Sequence, residues 1–168
     1  NGKICERTPF AELWVQPAAG DDGTALGAAL SVWHGRLGYG RTFTMEHGAW
    51  GPAFDASAIR DAVGSRVGEL ERSRCRRQDM EHMEDCARWA AERIAQGQVV
   101  GWFQGRAEWG ARALGHRSIV ADARRADMRD IINTKIKMRE RFRPFAPSIL
   151  EESLDDWFVG AVPDPFMV

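Results

Sequence analysis

Arg106 and Arg112 stand between glycines in the run Gly105-Arg-Ala-Glu-Trp-Gly-Ala-Arg-Ala-Leu-Gly115. Glycines let a ligand come close to the backbone, and free amides in such a turn bind anions. Arginines add planar forks of donors suited to phosphate or acyl oxygens. Glu108 is placed to hold one of these arginines. A second basic cluster, Lys135-Ile-Lys-Met-Arg-Glu-Arg-Phe-Arg143, follows further along. On a helix, residues 135 and 139, or 137 and 141, would share a face, with Arg143 just past the helix and before Pro144. Two such clusters separated by one helix can converge on a single polyanionic ligand. The plain alternative is solvated side chains: a loop whose arginines face water, and a charged helix surface. The loop is not a Walker A motif, because no Gly-Lys-Ser/Thr follows, and it is not a dinucleotide fingerprint.

The charge distribution favours a localised anion site. Between Val99 and Arg143 lie 11 of the 23 basic residues and 5 of the 24 acidic ones, a net of +6. The remainder holds 12 basic and 19 acidic residues, a net of −7, so one segment is positive inside an otherwise acidic molecule. Only Lys3, Lys135 and Lys137 are lysines, and the other 20 basic residues are arginines. A GC-rich genome would produce the same bias without any function.

The elements that must position these groups read as α/β. Val99 to Gln104 predicts a buried strand leading into the Gly-punctuated loop 105–115, and Ser118 to Ala121 a second short strand. Asp127 to about Lys137 predicts a helix with Met128, Ile131, Ile132 and Ile136 on one side. Upstream, Asp79 is the expected N-cap of a helix carrying Met80, Met83, Ala87, Ala90 and Ile94, with Gly97 as its stop. Glu12 to Gln16 reads as extended, and the Gly20-Asp-Asp-Gly-Thr24 turn opens a helix of small apolar residues expected to be buried on most sides. Residues 35–55 read as a Gly-rich loop, 56–70 as a short helix, 72–78 as a basic hinge, 142–150 as extended, and 151–158 as a helical turn.

Composition excludes several classes. The net charge of −1 does not indicate a globally basic nucleic-acid binder, and 44% apolar with 28% charged residues argues against disorder. No run of 18 apolar residues exists to span a membrane. Cys5, Cys75 and Cys86 are odd in number and lack CxxC spacing, which suggests a reducing compartment. The opening Asn-Gly-Lys and the apolar ending Pro165-Phe-Met-Val168 read as the cut ends of a piece of a longer protein.

Three long motifs together carry a resemblance. Gly101-Trp-Phe-Gln-Gly-Arg-Ala-Glu-Trp-Gly-Ala-Arg-Ala-Leu-Gly-His-Arg-Ser-Ile-Val-Ala-Asp122 resembles the signature of the carbamoyltransferase family that includes nodulation and antibiotic O-carbamoyltransferases. Asp130-Ile-Ile-Asn-Thr-Lys-Ile-Lys-Met-Arg-Glu-Arg-Phe-Arg-Pro-Phe-Ala-Pro-Ser-Ile-Leu-Glu-Glu152 looks like its continuation, and Pro17-Ala-Ala-Gly-Asp-Asp-Gly-Thr-Ala-Leu-Gly-Ala-Ala29 is similar to the end of that family's first domain. The resemblance implies the tail of an actin/hexokinase-type, Kae1-like carbamoyl-transfer domain over 1–50 and a linker over 51–70. It implies the front part of a YrdC-like twisted α/β domain, which forms carbamoyl-adenylate, over 71–168. It also implies ATP with Mg2+, carbamoyl phosphate, a hydroxyl-bearing small-molecule acceptor and a divalent metal (Fe or Zn) in the first domain; the expected setting is cytoplasmic with no membrane, and nucleic acid is the less favoured partner.

Roles follow position by position from the resemblance. Asp21 takes the place of a metal-binding aspartate, although a carboxylate at a helix start also reads as an N-cap. Arg112, Lys137 and Arg143 match the basic residues expected around carbamoyl phosphate and the adenylate, where they would neutralise charge as phosphate leaves and AMP forms. Arg106, Arg117 and Ser118 are further candidates for the same pocket, with Arg117 pairing with Glu108 as the scaffold alternative. Ala111 stands where the family usually has Pro, and His116 where Asn is common. The histidines His34, His47, His82 and His116 include no i, i+4 pair, so the paired histidine ligands are expected outside this sequence and the piece alone is not expected to complete the transfer. Two rival readings stay open. One is an Arg-rich, YrdC-like module binding RNA or another polyanion without transferase activity. The other is an N- or S-carbamoylating maturation factor.

Overall fold

The computed structural model describes residues 2–11, 13–161 and 163–167. Asn1, Val162, Val168 and Glu12, the first residue of the expected extended stretch, lie outside the described residues. Helix α1 spans Gly2–Arg7, where no helix was expected. Helix α2 spans Asp21–Leu30 and runs on into a π-helical turn over Ser31–Arg36. Helices α3 (Ala56–Gly64) and α4 (Val67–Arg72) replace the single helix expected over 56–70. Helix α5 spans Met83–Ala95, strand β1 Val100–Phe103, and strand β2 Arg117–Val120. Helix α6 (Met128–Ile131) passes directly into a π-helical turn over Ile132–Ile136. A 3-10 turn over Glu151–Ser153 leads into α7, Leu154–Trp157. The architecture is a small α/β one, with a two-stranded antiparallel sheet in the register Val100↔Val120 to Phe103↔Arg117.

Local chemistry accounts for the boundaries. Asp55 caps α3 by accepting the Ala58 amide at 2.8 Å, and the Ser57 hydroxyl adds a 2.6 Å bond to the same carboxylate oxygen. The expected cap of α5 is absent, because Asp79 spends its carboxylate on the guanidinium of Arg77 at 2.9 and 3.0 Å. The helix therefore starts at Met83, with His82 in extended conformation before it. Its end is the expected one. Gly97 adopts φ +83°, its amide bonds to Ile94 at 2.8 Å, and Arg125 donates to its carbonyl at 3.3 Å.

Contacts divide the chain into two compact units, one of Asn1–Gly51, Ala107–His116 and Ser148–Val168, the other of Pro52–Arg106 and Arg117–Pro147. The first carries α1, α2, the Gly-rich stretch, the middle of the arginine loop, and α7. No described residue of α2 is buried, and Leu30, Val32 and Trp33 are 44, 49 and 47% exposed, so the burial expected for this apolar helix is not found. Trp33 stacks on Tyr39, with the ring centres 4.1 Å apart. The second unit holds the buried apolar residues Ala90, Met128 and Ile132. Its sheet is half-covered. Trp102 turns inward while Phe103 is 54% exposed, which corrects the expectation of a fully buried strand. No described helix is long and apolar enough to cross a membrane.

Ile132 is 5% exposed and begins the π-helical turn. Ile132→Ala is expected to cost about 2–5 kcal/mol, through lost burial and the cavity left behind. Denaturant unfolding checks this, and an unchanged midpoint would remove Ile132 from the core.

Candidate anion-binding site

In the first unit the site is built on the Gly-Asp-Asp-Gly turn and the arginine loop. Gly20, not Asp21, is the N-cap of α2, and no side chain caps that end. Asp21 is the first helical residue and its side chain faces solvent, so the N-cap reading does not hold for it. The loop lies against this turn. Gly110 adopts φ +99°, and a Cβ there would stand 2.8 Å from the Cβ of Ala18 and 3.5 Å from a carboxylate oxygen of Asp22. A side chain on Gly23 would collide with the Ala18 carbonyl and reach the Trp109 ring. Small residues on both segments therefore permit the approach. The loop is further pinned by the amide of Trp109 on the Gly48 carbonyl (2.7 Å) and that of Gly51 on the Ala107 carbonyl (2.8 Å).

Glu108 organises the loop through its backbone. One carboxylate oxygen accepts the amides of Leu114 at 2.6 Å and His116 at 3.0 Å, bending residues 109–113 into a closed turn. Arg112 sits on that turn with its side chain exposed, and Asp21 belongs to the same unit.

In the second unit Arg106 is exposed and its backbone forms an isolated antiparallel bridge with Ala53. Arg117 and Ser118 open β2 and are half-buried. The guanidinium of Arg117 lies 3.6 Å from the centre of the Phe103 ring and donates to the carbonyls of Gln104 and, at 3.1 Å, Gly105. It joins the two roots of the arginine loop, a scaffold role made on two carbonyls and a ring where Glu108 was the expected partner.

Lys137 and Arg143 fall on one short excursion after the π-helical turn. The helix does not reach 139 or 141. Met138 adopts φ +46°, so the shared helix face expected for 135/139 and 137/141 does not exist. Instead the Lys137 amide bonds to the Ile132 carbonyl at 2.8 Å, and the side chain of the next residue, Asn133, donates to the Arg143 carbonyl at 2.9 Å. Both residues are thus tied by their backbones to one place, and both side chains are exposed. Arg143 pairs with Glu140 at 2.9 Å across open water, a contact weak enough to yield to a stronger anion. The Glu140 carboxyl is held below its ordinary value by its own backbone amide and by Arg143.

Other arginines of the positive segment are neutralised locally. Arg124 makes two bonds to the buried carboxylate of Asp122, at 2.8 and 2.9 Å, and Arg125 two to Asp127, at 3.1 and 2.8 Å. The Asp122 carboxyl is lowered to about 2 by the Arg124 side chain and amide. Asp127, the N-cap residue of α6, makes no side-chain capping bond because Arg125 holds its carboxylate, and the same contact lowers its pKa. Among the described residues no three His, Cys, Asp or Glu side chains cluster so as to hold a metal ion, and the lone carboxylate of Asp21 does not make a metal site by itself.

The family model described as Carbamoyltransferase N-terminus matches residues 1–30, and that described as Carbamoyltransferase C-terminus matches residues 91–168. The chain belongs to the carbamoyltransferase family. Nodulation protein NolNO of Sinorhizobium fredii is 43% identical over 174 residues, covering 99% of this chain and 24% of that protein. The uncharacterized protein sll1178 of Synechocystis is 43% identical over 173 residues, covering 100% of this chain and 27% of that protein. The 3'-hydroxymethylcephem-O-carbamoyltransferase of Streptomyces clavuligerus is 33% identical over 178 residues, covering 100% of this chain and 29% of that protein. The chain spans about a quarter of the length of the curated relatives it matches.

The Asp122–Arg124 pair gives a pH prediction with a fixed sign. A carboxyl lowered by folding adds stability above its unfolded pKa, and that stability fades as the pH falls from about 4 through the folded value. Arg124→Ala is expected to move the Asp122 pKa up from about 2 toward the ordinary carboxylate range. Side-chain carboxyl NMR titration reads this, and an unmoved resonance would remove Arg124 as the cause.

Proposed function

We propose that this chain is part of an ATP-dependent O-carbamoyltransferase, which forms carbamoyl-adenylate from carbamoyl phosphate and ATP and passes the carbamoyl group to a small-molecule hydroxyl. The observation that carries the proposal is likeness along the whole chain to a protein named as an O-carbamoyltransferase. In this reading residues 1–50 are the tail of a Kae1-like domain, 51–70 a linker, and 71–168 the front of a YrdC-like α/β domain. The setting is cytoplasmic, where ATP is supplied.

Arg112, Lys137 and Arg143 are the groups assigned to the anions. Their charges hold phosphoryl oxygens and offset the negative charge that builds up as phosphate leaves and the adenylate forms. Their exposure in the structure suits ligand access. Arg106 and Ser118 are assigned as further phosphate-contacting groups. Arg117, with its guanidinium on two carbonyls and a ring, acts by holding the loop roots. Asp21 is assigned as one ligand of a divalent metal (Fe or Zn) whose remaining ligands come from elsewhere in the full-length protein. ATP enters with Mg2+.

The test is ATP-to-AMP turnover with carbamoyl phosphate in the full-length protein. Arg112→Ala, Lys137→Ala and Arg143→Ala are each expected to lower kcat/KM by about 10²–10³-fold, the range seen when one charge-stabilising donor is removed. Unchanged turnover in all three would overturn the assignment. Salt-graded RNA binding without any turnover would favour the polyanion-binding module instead.

A further inference from the structure

Asn133 is a polar side chain with no solvent exposure, and it is the only described residue with a fully buried large side chain. Nothing about an Ile-Ile-Asn-Thr-Lys-Ile sequence demands an amide there; an apolar residue would extend the buried face of Met128 and Ile132. A buried carboxamide is retained at a cost unless each of its polar atoms is satisfied. Here each one is. Nδ2 donates to the carbonyls of Arg141 at 3.3 Å and Arg143 at 2.9 Å, and Oδ1 accepts the Nε of Arg139 at 2.7 Å. The Asn133 backbone carbonyl also accepts the Arg139 amide at 2.8 Å. Arg139 is steadied from its other side by the Phe145 ring, 4.9 Å from its guanidinium carbon.

All these partners lie between Arg139 and Arg143. Two carbonyls, two residues apart, bound by one amide nitrogen give the backbone of 141–143 a set curvature. With the Lys137 amide on Ile132, both ends of the excursion are fastened to adjacent residues of one turn. Arg139 is consumed in this fastening, whereas Lys137, Arg141 and Arg143 are left outside it with exposed side chains. We infer that Asn133 is a positioning residue for the anion site: it touches no ligand, and it sets the backbone from which Lys137 and Arg143 reach the same phosphoryl group. The inference rests on the proposed function of those two cations and goes beyond it, because no likeness or motif assigns Asn133 a role.

The experiment measures ATP and carbamoyl phosphate affinity by calorimetry, together with KM and kcat, in the full-length protein. The variants are Asn133→Ala, Asn133→Asp and Arg143→Ala, and the Asn133→Ala/Arg143→Ala double variant. Asn133→Asp keeps the shape but replaces the two donors with oxygen facing two carbonyls. Circular dichroism and melting establish that each variant folds. Positioning predicts about tenfold weaker anion binding for folded Asn133→Ala, more for Asn133→Asp, and little further loss when Arg143→Ala is added to Asn133→Ala, because the cation is already misplaced. Unchanged affinity in the folded Asn133 variants, or losses that simply add in the double variant, overturns the inference. If Arg143→Ala alone leaves anion affinity intact, the anion-site reading itself fails, which is a separate outcome. Should both Asn133 variants be too unstable to assay, Arg139→Ala breaks the Oδ1 link from the half-exposed side. A loss of about threefold then supports the inference, and unchanged affinity overturns it.

Discussion

A carboxamide removed from water has two N–H donors and one acceptor to satisfy, and in this protein one such group decides the path of the chain. Asn133 meets that demand with two backbone carbonyls and the Arg139 side chain, all from a single downstream excursion. The same constraint explains why the helix before it loosens into a π-helical turn. An ideal helix continuing past Lys137 would carry 139–143 away along its axis, out of reach of the amide. The turn and the positive φ at Met138 bring the chain back. Rigid presentation of cations thus comes from a polar contact in the core rather than from the charged residues themselves.

Much of the architecture was legible from side-chain chemistry alone. The two strands, the Gly97 stop and the helix after Asp127 are products of local propensity and appear within a few residues of their expected places. Failures occurred where a side chain had two possible partners. Asp79 was a sound cap by type, but Arg77, two residues away, offered a charged partner and took the carboxylate. The burial expected of α2 is not found, because an apolar surface states a need for cover without saying what provides it.

The cations of the candidate site were legible as a group, and their division of labour was not. Glycine spacing marks the loop, but no spacing rule distinguishes an arginine that waits for ligand from one that braces the scaffold. The guanidinium of Arg117 rests on an aromatic ring and two carbonyls. Arg112 carries none of those constraints in its sequence neighbourhood, and its placement is settled by Glu108, which grips amides rather than an arginine. The signal for Asn133 was available as a lone amide among isoleucines, and only the three-dimensional path gives it a meaning.

The fastening of Arg125 has a consequence for how the positive segment behaves toward dissolved ions. Its guanidinium closes the carboxyl end of α5 at Gly97 while also gripping Asp127. A helix of that length ends in partial negative charge, and this arginine discharges it. The formal surplus of the segment therefore overstates the field that a passing metabolite would feel. Pairing of Arg124 with Asp122 and of Arg125 with Asp127 thus leaves less of the formal charge to act on a dissolved anion.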